Sequence, residues 1–389
     1  MIIIAATLAI ANAANAITIE DVIASVKQNN KELKYTTAQI DAQASEIKTN
    51  NNLSNPVVEG GYLFGKGPAE NKWEVGVSQE FEWPGLYSSR GAANKARVEA
   101  MKLGYSVKQL QLLTEAYGVC LDIISLNRQI EYEKNIQSNI DALYEKNMKA
   151  FEHGEVSVID INKLKVERIG LQQKIDDCVL RRDALVKQLE GYNANMPLAG
   201  VESLNEYPAQ QLVSLDEYLA EAKESAPEVM QYRADMAADE KDVKVAKMQG
   251  LPKFSLGYKH ANEEGNSFNG ATVGVSLPIF ENRGKKKAAK VKAISSQLAY
   301  DNAVLALTNE VTTNYNKATT LGKQLAGYSE ALDGVNNVEI LNKALAGGQI
   351  SLLTYLQEVR YFVEARAVML EMESEYNQEL VNLNKYKMF

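Results

Sequence analysis

The chain has 389 residues, a formal net charge of −8 and only 8 prolines. The mild, dispersed negative charge gives no support to nucleic-acid binding. Long stretches rich in Ala, Leu, Lys, Glu and Gln argue against several globular domains and for extended helices.

The chain opens with the apolar run Met1 to Ile10, followed by Ala14-Asn15-Ala16. An apolar core before an A-x-A cleavage pattern marks residues 1–16 as an expected secretory signal peptide. The run lacks the usual basic start, which a start codon placed too far downstream would explain. The mature chain then begins near Ile17, and no cysteine follows the cleavage site to carry a lipid anchor. No later stretch reaches about 18 uninterrupted apolar residues, so no transmembrane helix is expected. Such an exported chain is periplasmic, secreted or a membrane β-barrel.

A helix is expected from Ile17 to Asn52, opened by Thr18 and Glu20-Asp21 as a capping signal. Residues 57–64 and 73–83 read as strands, separated by the turn cluster Gly65-Lys66-Gly67-Pro68. From about Tyr87 to Phe151 the pattern is helical without a breaker, roughly 100 Å of helix at ~1.5 Å per residue. The bend His153-Gly154-Glu155 returns the chain into a helix from about Val158 to Glu190. A loop-rich linker over 192–213 carries Pro197, Gly200 and Pro208. The plan then repeats, with a helix at 215–249, strands at 253–260 and 270–280, and a helix at 286–345. A bend at Gly347-Gly348 and a helix at 352–386 complete it.

The sequence itself repeats at the same period. Pro56 to Tyr62 returns as Pro252 to Tyr258, Val75-Gly76-Val77-Ser78 as Val273-Gly274-Val275-Ser276, and Arg90-Gly91 as Arg283-Gly284. Gly154-Glu155-Val156-Ser157 returns as Gly348-Gln349-Ile350-Ser351. Nearly constant offsets mark a duplication, with a first unit at 17–191 and a second at 214–389. The helical hairpins are 87–190 and 286–386. Two shorter helices end to end match one long one, which suits a tall wall rather than a globular core.

Strand 73–83 indicates its environment. Trp73, Val75, Val77, Phe81 and Trp83 share one face with Gln79, and Glu74, Gly76, Ser78, Glu80 and Glu82 share the other. An apolar and a polar face at period 2 fit a barrel strand between lipid and water. Trp73 and Trp83 are the only two tryptophans. They are separated by roughly 23 Å on a tilted strand, as an aromatic girdle at each edge of the apolar band would be. A soluble sandwich strand is the competing reading. The second pair is consistent: Phe254, Leu256 and Tyr258 oppose Lys253, Ser255, Gly257 and Lys259, and Val273, Val275, Leu277 and Ile279 oppose Thr272, Gly274 and Ser276. Four strands cannot close around water, and open edges do not survive in lipid, so the chain must oligomerise. Three copies would supply twelve strands.

Together the leader, the duplication, the Pro-led strand pairs and the Gly-x-x-Ser bends resemble the TolC family of outer-membrane efflux proteins. The exit Leu277-Pro278-Ile279-Phe280 into Arg283-Gly284 adds to the likeness. Glu82-Trp83-Pro84-Gly85, followed by Arg90, resembles the heavy-metal efflux branch. The resemblance implies a mainly α fold with a membrane β-barrel portion: a homotrimer with a twelve-stranded barrel in outer-membrane lipid and a twelve-helix periplasmic tunnel. It implies that the bends at Gly154, Ser157, Gly348 and Ser351 dock a periplasmic adaptor (membrane fusion) protein, itself bound to an inner-membrane pump. It also implies a lumen narrowed by carboxylates just past the bends. Asp160 fits that pattern, while Thr354 and Gln357 stand where acids are common and Glu358 is offset by about 100°. Asp160, Thr354, Gln357 and Glu358 are therefore the candidate constriction. The implied role is an exit duct for a tripartite (RND-type) efflux or type I secretion system. The rival is a periplasmic or surface coiled-coil structural protein.

Other chemistry is thin. Gly60 to Gly67 approximates a phosphate loop, but Gly67 and Pro68 replace the Ser/Thr and the helix that such a loop needs. His153 and His260 fall in different elements, and no Cys/His cluster has metal spacing, so no cofactor or metal is expected. Cys120 and Cys178 stand 34 and 24 residues from the bend at Gly154. That offset, roughly 15 Å along a helix, is too great for a disulfide, and both read as packing residues. Scattered methionines read as packing fillers. The run Arg283, Lys285, Lys286, Lys287, Lys290, Lys292 reads as a solvated face or as a contact to anionic lipid head groups. No nucleophile–base set or carboxylate pair suggests an enzyme.

Overall fold

A computed structural model describes residues 17–67, 70–332 and 337–389. The expected signal peptide and Pro68 of the turn cluster lie outside the described residues. In chain order the elements are α1 (Ile19–Asn29), α2 (Lys31–Thr49), β1 (Val57–Leu63), β2 (Lys72–Phe81), α3 (Pro84–Glu152) and α4 (Val158–Tyr192). Then come α5 (Leu215–Ser225), α6 (Pro227–Met248), β3 (Lys253–Glu263), β4 (Asn266–Ser276), α7 (Lys285–Leu332), α8 (Asn337–Ala346) and α9 (Leu352–Met388).

Residues 333–336 of the helix expected at 286–345 lie outside the described residues; among those described, two other helices expected to be continuous are broken at equivalent points. The first breaks at Asn30, whose ψ of 125° leaves the helical region. Its side chain restarts the helix: Oδ1 accepts from the Leu33 amide at 3.0 Å and Nδ2 donates to the Tyr192 carbonyl at 2.8 Å. The second breaks at Ala226, because the ring of Pro227 disfavours helical geometry at the residue before it. Pro227 then sits at the first helical position, where its missing N–H costs nothing. That signal was present in the sequence, and the helical period on both sides of it masked the break.

The strand bounds also differ from expectation. β2 stops at Phe81, so Trp83 lies in the short link to α3 rather than in the strand. Pro84 opens α3 as a first-turn proline, three residues before the expected start. β4 runs over Asn266–Ser276, not 270–280, since Pro278 has no N–H to give to a ladder. β3 extends to Glu263, and only Glu264 and Gly265 turn the chain, with φ of 54° and 80°. Two positive φ values make the mirror-image turn that matches strand twist.

The chain forms two compact units, and each draws on both sequence repeats. One unit takes residues up to Lys34 together with Gln109–Ala222 and Asn309–Phe389. Its core near the bends packs Ile136 and Ile140 of α3, Leu164 and Leu171 of α4, and Tyr355, Leu356, Val359 and Val363 of α9. A second cluster joins Leu126 and Ile130 to Ile175 and Cys178. The linker is pinned to α3: Asn127 Nδ2 donates to the carbonyls of Glu202 and Leu204, and Arg128 Nε to that of Asn205. Cys120 and Cys178 are free and buried. Burial, with the charge of Glu20, pushes the Cys120 thiol up to about 12, and burial pushes Cys178 up to about 11. Neither thiol is set up as a nucleophile.

The other unit comprises Tyr35–Lys108 and Lys223–Thr308. It holds a four-stranded antiparallel sheet in the order β1-β2-β3-β4, so the two repeats meet along β2 and β3. Below the sheet, Arg97 of α3 binds Asp239 at 2.6 Å and Asp242 at 2.7 Å, both on α6. Lys292 of α7 reaches the same Asp239 at 2.9 Å, and Ser296 donates to it. Burial opposes the Asp239 charge, but hydrogen bonds from Ser296, Arg97 and Lys292 outweigh it and hold its pKa below the ordinary value. A single carboxylate thereby ties three helices together.

Candidate functional site

Both bends are built by one device, used twice. At the end of α3 the Gly154 amide donates to the Phe151 carbonyl at 2.9 Å and the Glu155 amide to that of Ala150 at 3.0 Å. At the second bend Gly348 donates to Leu345 at 3.1 Å and Gln349 to Ala344 at 2.9 Å. These are the paired bonds of a Schellman cap, which needs a left-handed residue at the glycine position. Gly154 has φ 77° and Gly348 φ 67°. Each turn then hands over to a serine cap. The Asp160 amide donates to Ser157 Oγ at 3.2 Å, and the Thr354 amide to Ser351 Oγ at 3.1 Å.

The candidate constriction residues divide accordingly. Asp160 and Thr354 hold equivalent positions in the first turns of α4 and α9. Ser157 Oγ donates to Asp160 Oδ2 at 2.9 Å, and Lys163 Nζ reaches Oδ1 at 3.1 Å. Hydrogen bonds from Lys163 and Ser157 hold the Asp160 carboxyl below its usual range. In the second copy the Ser351 and Thr354 hydroxyls bond each other at 2.9 Å. Thr354, Gln357, Glu358 and Tyr361 form one exposed stripe of α9, while Tyr355, Leu356 and Val359 face the core.

The two bends belong to one packed body. Ile350 and Leu352 pack against the cluster that contains Ile140 and Leu164. Arg360 of α9 binds Glu167 of α4 at 2.8 Å. Sequence reasoning passed over the apolar residues exposed just after each cap. Ile159 is 63% exposed and its counterpart Leu353 is 48% exposed. Their recurrence in both copies was the available signal.

The sheet supplies the second candidate surface. Its register places Val58, Tyr62, Trp73, Val75, Val77, Phe81, Phe254, Leu256, Tyr258, Val273 and Val275 on one face. That face is bare: Val75 is 48% exposed and Val273 74%. Gln79, its one polar member in β2, spends its amide on the carbonyls of Ser54 and Glu80. The opposite face carries ion pairs between β2 and β3, with Lys259 to Glu74 at 2.7 Å, Lys72 to Glu263 at 3.1 Å and Lys253 to Glu80 at 3.5 Å. β1 and β4 each pair on one side only among the described residues. Trp73 lies near the turn end of the sheet against His260, and Trp83 at the helix end against Phe254, with ring centres 5.3 and 5.9 Å apart.

No helix among the described residues is long and apolar enough to cross a membrane. Among them, no cluster of His, Cys, Asp or Glu could hold a metal ion. Gly60 and Gly61 of the phosphate-loop-like run lie within β1.

Residues 218–386 match the family described as outer membrane efflux protein. No curated protein matches the chain in sequence. Among solved structures, the Campylobacter jejuni CmeC outer membrane channel superposes with a TM-score of 0.74 at 16% identity, covering 95% of this chain and 85% of that one. VceC, an outer membrane protein of Vibrio cholerae, gives 0.74 at 12% identity over 94% and 95% of the two chains. The open-state MtrE outer membrane channel of Neisseria gonorrhoeae gives 0.73 at 15% identity over 95% and 88%. At these identities the likeness establishes the fold, which is mainly helical with two β-hairpins.

Proposed function

We propose, from a second half that matches the outer membrane efflux family and a fold shared over nearly the whole chain with outer-membrane channels, that this protein is the outer-membrane exit duct of a tripartite efflux or type I secretion system. It acts by conduction, not catalysis. The observation that carries the reading is the sheet: one face apolar and exposed, the other lined by ion pairs, with an open edge on either side. Lipid on one side, water on the other and further strands at both edges satisfy all three features together. Three copies edge to edge close a twelve-stranded barrel with the ion-paired face around the lumen.

The bends at Gly154, Ser157, Gly348 and Ser351 meet a periplasmic adaptor, which joins the duct to an inner-membrane pump. Ile159 and Leu353 beside them supply the apolar contact. Past the bends, Asp160, Thr354, Gln357 and Glu358 line the narrowest part of the lumen, and Trp73 and Trp83 mark the two edges of the apolar band. The heavy-metal branch of the family is proposed only from the resemblance of Glu82-Trp83-Pro84-Gly85, followed by Arg90, to that branch.

Purified protein added to a planar lipid bilayer tests the duct. Discrete conductance steps are expected, and an unchanged bilayer at protein levels that give membrane-bound trimers would overturn the reading. Photo-crosslinkers at Ile159 and Leu353 should capture the adaptor in cells, whereas labelled tips that capture only this chain would count against docking there.

A further inference from the structure

We propose that the first turns of α7, with the last turns of α6 beside them, bind the anionic headgroups of phospholipids in the inner leaflet of the outer membrane. This rests on the membrane placement just argued. Arg283, Lys285, Lys286, Lys287 and Lys290 are all exposed, and none forms an ion pair with another described residue. Lys241, Lys244 and Lys247 add an exposed basic row along the end of α6. The two helix ends are held together, since Asn282 Nδ2 donates to the Gln249 carbonyl and Lys292 reaches Asp239.

The fold does not explain these charges. The first turn of α7 contains no acid and three lysines. A helix N-terminus carries partial positive charge and favours anions, so this arrangement opposes the helix that bears it. The first repeat uses its cations differently. Arg90, the counterpart of Arg283, is paired with Glu82, and Arg97 with Asp239 and Asp242. Among the described residues, only the second copy leaves a dense group of cations without ion-pair partners.

Their position gives the ligand. Val273 and Val275 of the apolar face lead into Leu277, Ile279 and Phe280, which are 61%, 67% and 84% exposed. Arg283 follows three residues later. An apolar face that changes to clustered lysines within a few residues has the profile of a segment leaving hydrocarbon through an anionic headgroup layer. A merely solvated basic face would not need the apolar approach.

Trp83 reports on this site, because it packs on Phe254, whose neighbour in β4 is Val275. A Trp73→Phe trimer, with Trp83 as its sole tryptophan, is placed in phosphatidylcholine nanodiscs containing brominated phosphatidylglycerol or, separately, the same fraction of brominated phosphatidylcholine. The glycerol lipid should quench Trp83 about twofold more strongly, and the preference should vanish at high salt. It should also vanish in the Lys285→Gln, Lys286→Gln, Lys287→Gln, Lys290→Gln variant and persist in the matching Lys→Arg variant. Equal quenching by the two lipids overturns headgroup binding and leaves the barrel intact. No quenching by either lipid, of Trp83 here or of Trp73 in a Trp83→Phe trimer, removes the membrane placement itself.

Discussion

Gly154 and Gly348 are required by backbone geometry and not by space. A β-carbon built on either meets nothing within 4 Å, yet both residues hold φ near +70°. Replacing either with alanine should therefore destabilise its hairpin by about 1–2 kcal/mol, and asparagine, which tolerates the left-handed region, should cost less. Thermal midpoints of the detergent-solubilised protein would show this order. Asp160 makes a separate prediction. Its folded pKa lies below the unfolded value near 3.9, so the stability it adds is present above that value and lost as pH falls through the folded one. Lowering the pH from about 5 to 3 should therefore destabilise the first turn of α4 in wild type and much less in Asp160→Asn, read by hydrogen exchange corrected for intrinsic rate. Ser157 and Ser351 were readable in the sequence as bend residues. Their pairing with Asp160 and Thr354 as caps follows from an i to i+3 geometry that a search for luminal carboxylates did not consider.

Two element-level features set the architecture. The register assigns Val75 and Val77 to the exposed apolar face and Ser78 to the ion-paired one. Arginine at Val75 or Val77 should cost about 2–4 kcal/mol near the bilayer midplane, while Ser78→Arg should be mild, as measured by recovery of assembled trimer. Equal tolerance on both faces would refute the assignment. The three helices around Asp239 form the second feature. Arg97→Met leaves that buried carboxylate with Lys292 and Ser296 only, and should lower stability by about 2–4 kcal/mol in chemical denaturation. The alternation of β2 was legible because each side chain there serves one of two distinct environments. The end of β4 was not, since Leu277 and Ile279 continue the apolar period after Pro278 has ended the ladder. Asn30 was only half hidden: its cap to the Leu33 amide is local, at a residue type that favours caps, while its second bond, to the Tyr192 carbonyl, is remote in sequence.

At the scale of the whole molecule, duplication does the organising. Each repeat contributes two strands to one sheet and one bend to one helical body, so both compact units are shared by the two copies. In the proposed duct one chain cannot finish its own sheet, because a third of a barrel leaves open strand edges in lipid. For such a duct assembly is a condition of folding rather than a later refinement. Native mass spectrometry of protein extracted from outer membranes and released from detergent tests this most directly. The account predicts a particle of three 43.0 kDa chains with no stable monomer. A folded monomer that remains soluble without detergent would contradict it.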